Sequence, residues 1–112
     1  MQEIELSQIL IKHKGSLPAT SWRQDEIKLT SDEAYDIAEA LREEIARGDK
    51  TFASCASQRS DDYTAIEGGA CGKVWHGTLN EDIESSAFNL RVGELSKPVE
   101  SPQGWHLLLR TK

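Results

Sequence analysis

The stretch LSQILIKHK, residues 6–14, alternates between two sets of side chains. Ile9 and Ile11 share one parity; Leu6, Gln8, Leu10 and Lys12 share the other. A β-strand sends successive side chains to opposite faces, so a strand over residues 4–12 turns Ile9 and Ile11 into a core. It also gathers Gln8 and Lys12 on the other face, which is either wet or the floor of a site.

A polar connection, HKGSLPATSWRQDEIKL, follows. It is rich in turn formers and too long for a plain link, and such loops in compact domains are functional or mobile. The period then becomes helical. Thr30-Ser31-Asp32-Glu33 matches a capping box, in which Thr30 caps the helix and Glu33 reaches back to it. Ala34, Ile37, Ala38, Leu41 and Ile45 form one buried stripe, and Gly48 after Arg47 ends the helix. TFASCASQ predicts a second, shorter helix with Phe52, Cys55 and Ala56 on one face. SDDYTAIEGGACG predicts a turn or short irregular helix closed by paired glycines, and KVWHG a brief strand.

NEDIESSAFNL predicts a third helix capped by Asn80, with Ile83, Ala87, Phe88 and Leu90 inward. A short strand surrounds Val99, where Pro98 marks an edge or a strand start. WHLLLRT, bounded by Pro102 and Gly104, predicts the last strand. Strands and helices in this order describe an α+β domain, a small sheet covered by helices. No repeat or linker interrupts it, so residues 1–112 read as one domain.

Composition narrows the function. A formal net charge of −6 argues against a general nucleic-acid binder, because phosphate backbones select basic surfaces. No apolar run approaches the roughly 20 residues that cross a bilayer. The opening MQEIELSQ is acidic and shows no signal peptide. Cys55 and Cys71 form neither a C-x-x-C pair nor a framework, which predicts reduced thiols in the cytoplasm or nucleus. His13, His76 and His106 stand too far apart in sequence to suggest zinc.

The most specific signal lies in FNLRVGELSKPVESPQGWHLLLR. It resembles the closing segment of parvulin-type peptidyl-prolyl isomerases: Phe-x-Leu-x-x-Gly-Glu-x-Ser-x-Pro-Val, then Gly-x-His and an apolar strand ending in Arg. FASCASQRSDD resembles the family's second helix and following turn. SWRQ resembles the long loop of the phosphoserine/threonine-proline-directed branch. The resemblance covers essentially the whole chain.

That resemblance implies a four-stranded antiparallel sheet wrapped by helices in βαααβαββ order, with a proline-binding groove on its open face and neither metal nor cofactor. Carried over by position, it implies polar catalytic residues Gln8, Asp62, Ser101, Gln103 and His106. It implies a proline-ring pocket of Leu79, Ile83 and Phe88 with Cys71 at its wall. The family usually has a histidine where Gln8 stands, an aromatic at Ile83, and Leu or Met at Cys71. The loop arginines that clamp a phosphate in the proline-directed branch are replaced by Leu17 and Pro18. Lys12, Lys14 and Arg23 remain to attract a phosphate or an acidic residue, without the bidentate fork that two arginines offer.

The expectation is a monomeric, slow peptidyl-prolyl cis-trans isomerase with weak phosphate selectivity. It would act on proline-containing protein segments, phosphorylated Ser/Thr-Pro among them. The alternative is a degenerate domain that binds such segments without turnover, motivated by Gln8 and Ile83. Trp22 and Trp105 read as structural, and Cys71 as packing rather than a reactive thiol.

Overall fold

The computed structural model describes residues 2–112. Its elements run β1 (Glu3–Ile11), α1 (Ser31–Ala46), α2 (Phe52–Arg59), a 3-10 turn (Tyr63–Glu67), β2 (Ala70–Trp75), α3 (Glu81–Asn89), β3 (Val99–Ser101) and β4 (Gly104–Arg110). The 3-10 turn is the turn or short irregular helix predicted between α2 and β2, closed by Gly68. The four strands form one antiparallel sheet in the order β2-β1-β4-β3. Pro98 leads into β3, an edge strand, where its missing N–H costs no ladder bond.

Parity in β1 decides what each face does. Ile9 and Ile11, with Leu107 of β4, pack beneath Ala34 and Ala38 of α1 and Phe52, Cys55 and Ala56 of α2. The other parity is not simply wet. Ile4 and Leu6, with Leu108, pack beneath Ile83 and Ala87 of α3 together with Val74 and Leu90. Ile4, Ile9, Leu10, Ile11, Leu107 and Leu108 are all at most 1% exposed, and each such side chain contributes about 1.5–3 kcal/mol by leaving water. Helix α3 therefore covers only one end of its face. The end beyond α3 carries Gln8 from β1 and, in register across Leu10↔His106 and Ser101↔Gly104, His106 and Ser101.

The helices start where their caps stand. Thr30 Oγ1 accepts from the Glu33 amide at 3.1 Å, and Glu33 Oε1 accepts from the Thr30 amide at 2.9 Å, completing the capping box. Asn80 Oδ1 accepts from the Asp82 amide at 2.9 Å and opens α3. Trp105 is structural, as its Nε1 donates to Ser31 Oγ at 3.1 Å and its ring meets Tyr35 edge-on with centroids 5.0 Å apart.

The long connection after β1 is stitched down. Lys14 N donates to Leu29 O at 2.7 Å, Ile27 N to Ala19 O at 3.0 Å, and the Ile27 side chain is buried. Trp22 Nε1 donates to the carbonyls of Ser60 and Asp62, both at 3.0 Å, tying the loop to the turn after α2.

Candidate active site

A buried hydrogen-bonded row crosses the end of the sheet beyond α3. His106 Nδ1 lies 2.9 Å from Gln8 Oε1, and its Nε2 lies 2.6 Å from Ser101 Oγ. With a carbonyl oxygen at Nδ1, that nitrogen carries the proton and Nε2 accepts from the Ser101 hydroxyl. Ser101 Oγ also accepts from the Gln103 amide at 3.1 Å, which sets the hairpin tip. His106 is 2% exposed, and burial lowers its pKa to about 4, against a smaller opposing pull from Asp62. The ring is thus neutral across the physiological range and works as a bridge rather than a charge.

Gln8 continues the row toward Cys71. Burial pushes the Cys71 thiol up to about 11, while a hydrogen bond from the Gln8 side chain draws it down and Asp62 adds to the rise. The thiol stays protonated and inert, with Sγ 3.5 Å from Gly69 O. Gly69 makes this closeness possible. Its φ is +89°, Gln8 N donates to its carbonyl at 2.9 Å, and a Cβ there would stand 2.5 Å from Gln8 O. Only glycine lets the start of β2 lie against β1 beside Gln8.

The two aspartates after α2 divide their work. Asp62 caps the 3-10 turn, accepting from the Thr64 amide at 3.0 Å and from the Thr64 hydroxyl. Its charge is felt at His106 and Cys71, so it contributes field to the row without a hydrogen bond to it. Asp61, absent from the residues singled out in the sequence, is the buried hub. Its carboxylate accepts from Lys12 N and from Ser21 Oγ, both at 2.9 Å. It also pairs with Arg23 at 3.5 Å and Arg59 at 3.4 Å. The only linear signal for it is the Ser60-Asp61-Asp62 run after Arg59, which does not say which aspartate turns inward.

Several expected roles are corrected. Lys12 is 7% exposed, and its ammonium is spent on the carbonyls of Pro18 (3.2 Å) and Thr20 (2.7 Å). Arg23 is held by Asp61. Lys14 is exposed and lies near enough to Glu33, at the start of α1, to influence its carboxyl. Of the three cations predicted to attract an anion, Lys12 and Arg23 are thus committed to other partners. Gln103 is exposed at the β3–β4 tip and joins the row only through its backbone.

Ile83 belongs first to the core, 5% exposed among Leu6, Val74 and Leu108, so it is floor rather than open wall. Leu79 and Phe88 stand at the edge of that core. The His76 ring stacks on Phe88 with centroids 3.9 Å apart, and His76 Nδ1 lies 3.5 Å from Glu84.

A buried neutral hydrogen-bonded row beside an apolar edge can hold and desolvate a ligand, but it presents no activated nucleophile. That defines a non-covalent binding or isomerising site. Residues 9–112 match the family model for the PPIC-type PPIase domain, rotamase, and the chain belongs to that parvulin family of peptidyl-prolyl cis-trans isomerases. It is 33% identical to the peptidyl-prolyl cis-trans isomerase Pin1 of Digitalis lanata, over 98% of this chain and 97% of that protein. It is 38% identical to the Drosophila melanogaster isomerase dodo over 96% of this chain, but spans only 65% of that protein. The solved peptidyl-prolyl isomerase ESS1 from Candida albicans superposes with a TM-score of 0.96 at 34% identity, covering 98% of this chain and 63% of that one.

Proposed function

We propose that this domain rotates X-Pro bonds of exposed protein segments slowly and with little selectivity for phosphate. The observation that carries the reading is the buried Gln8–His106–Ser101 row beside Leu79 and Phe88. Amide resonance holds an X-Pro bond behind a barrier of about 18–20 kcal/mol, and no covalent bond has to break to cross it. A site needs only to favour the twisted amide over both planar forms. The apolar edge excludes water from the proline ring and so weakens the charge-separated planar form. The neutral row keeps that face free of competing charge, with each of its polar atoms already oriented.

Low turnover follows from Gln8. An amide holds His106 in one tautomer, but it offers less flexible proton positioning than an imidazole would. Weak phosphate selectivity follows from the commitment of Lys12 and Arg23 elsewhere. The clients are proline-containing segments met by a monomer in the cytoplasm or nucleus, a reading supported by two free thiols. A binding domain without turnover is the second reading, favoured by the burial of Ile83 and by His76 lying over Phe88.

The test is the refolding of a protein whose slow phase is limited by an X-Pro bond. Acceleration proportional to added domain is expected. A slow phase unchanged at equimolar domain overturns turnover and leaves the binding reading.

A further inference from the structure

Three large apolar side chains that the core leaves exposed gather at one place on the surface. Tyr63 is 80% exposed, Ile66 87% and Trp22 49%. With Ser57 and Ala65 they line a concavity of about 500 Å³, and all five of these residues are uncharged. Exposed apolar clusters on soluble domains mark binding surfaces. The hollow is also held in shape. Trp22 Nε1 donates to Ser60 O and Asp62 O, both at 3.0 Å, which fixes the indole in place. Ser57 Oγ donates to Ala65 O at 3.2 Å, so the hydroxyl in the lining is already satisfied. Asp62 caps the 3-10 turn that carries Tyr63 and Ile66, and Gly68 closes it at φ +64°.

The strand that carries Gln8 also sets the position of this hollow. The 3-10 turn is tied to β1 at both ends: Asp61 N donates to Leu10 O at 2.7 Å before it, and Gln8 N donates to Gly69 O at 2.9 Å after it. The turn, and the hollow on it, therefore flank the Gln8–Leu10 stretch of β1, where the buried row begins. Asp62 stands at the boundary between the two. Its carboxylate is turned to Thr64, its carbonyl holds Trp22, and its charge reaches His106 and Cys71. The charged neighbours are occupied elsewhere: Asp61 is buried, and it holds both Arg23 and Arg59. Only Glu67, at the far end of the turn, is a free exposed charge beside the hollow.

We infer that this hollow takes a large apolar side chain, aromatic above all, from the same client segment whose proline lies at the row. The inference rests on the proline-binding reading and names its substrate class: X-Pro segments with a bulky apolar residue close to the proline. Continuity with the groove makes the occupant part of the client. An extended chain advances about 3.3 Å per residue, so a few residues carry it from the row onto the neighbouring turn. An aromatic ring placed there meets Trp22, Tyr63 and Ile66 and desolvates no charged group in the lining. Burial of such a side chain is worth about tenfold in affinity.

The experiment titrates isotope-labelled domain with Ala-Pro peptides in which Phe, Lys or Ala is placed in turn at each of the three positions on either side of the proline. Affinities come from the amide shifts, and cis-trans exchange is recorded on the same samples. At one or more positions the Phe peptide is expected to bind about tenfold tighter than its Ala and Lys counterparts, moving Tyr63 and Ile66 together with Gln8 and His106. In the Tyr63→Ser/Ile66→Ser double variant, whose substitutions lie at exposed positions, the Phe-to-Ala ratio falls toward one. Equal affinities for Phe, Lys and Ala at every position in wild type overturn the inference. A Phe peptide that binds equally well with its proline replaced by alanine also overturns it, because the hollow then works apart from the groove. Shifts at Tyr63 and Ile66 that follow protein concentration without peptide do the same, because a second copy then covers the face. If no peptide is accelerated the isomerase reading fails by itself, and the affinities still decide the apolar preference.

Discussion

Acidification is the sharpest physical probe of the buried row. His106 has a folded pKa of about 4, against an ordinary value near 6.5 for an exposed histidine. Between those values the unfolded chain takes up a proton at this residue and the folded chain does not, so stability falls as pH falls. The linkage amounts to about 2 kcal/mol between pH 7 and pH 5, and about 3 kcal/mol by pH 4. Glu33 works in a separate window. Its hydrogen bonds with Thr30 hold its carboxyl below the ordinary range, so that contribution is present above about pH 4.5 and lost only below it.

Urea melts followed by tryptophan fluorescence at pH 7 and pH 5 measure the difference, with His106→Asn as the reference that cannot titrate. The variant is less stable at both pH values, but its pH 7-to-5 difference is expected to be about 2 kcal/mol smaller than that of wild type. Equal slopes in the two proteins would show that His106 titrates normally and that the row is wet.

Four further outcomes follow from named contacts. Gly69→Ala forces a Cβ to within 2.5 Å of Gln8 O at positive φ and should cost at least about 2 kcal/mol while shifting the amide signals of Gln8 and His106. Gly48→Ala, also at positive φ but in open space, should cost about 1 kcal/mol and leave those signals in place. Asp61→Ala strands Arg23 and Arg59 together with the Lys12 amide. A loss of about 2–3 kcal/mol in denaturant melts is expected, below the usual cost for a buried pair because both arginines are partly exposed. Gln8→His should raise turnover about fivefold, the equivalent of one hydrogen bond gained in the twisted state, as read by peptide exchange; an unchanged rate would move the blame to Ile83.

What was legible follows from the range of each signal. Alternation in LSQILIKHK is local and placed Gln8 on the face opposite Ile9 and Ile11, where it meets His106, and the Thr30–Glu33 box is a four-residue pattern that needs no tertiary knowledge. The union of Gln8 with His106 and Ser101 became legible only through the resemblance in the last third of the chain. Parity assigns Lys12 a face but not a partner, and its ammonium bends back to carbonyls of its own loop. Helical spacing turns Ile83 inward without distinguishing a core from a pocket, and the packing under α3 decides for the core. Asp61 was invisible because its partners come from the residue after β1, the long loop and α2, which converge only in the fold.

The central claim is that a proline segment lies across the neutral row and is rotated there. Two-dimensional exchange NMR of one Ala-Pro peptide, with catalytic amounts of isotope-labelled domain, reads both halves at once. The account predicts cis-trans exchange cross-peaks that grow with added domain, together with amide shifts concentrated at Gln8, Leu79, Phe88, Ser101 and His106. Exchange at the spontaneous rate, or shifts confined to the α1–α2 side of the sheet, would contradict it.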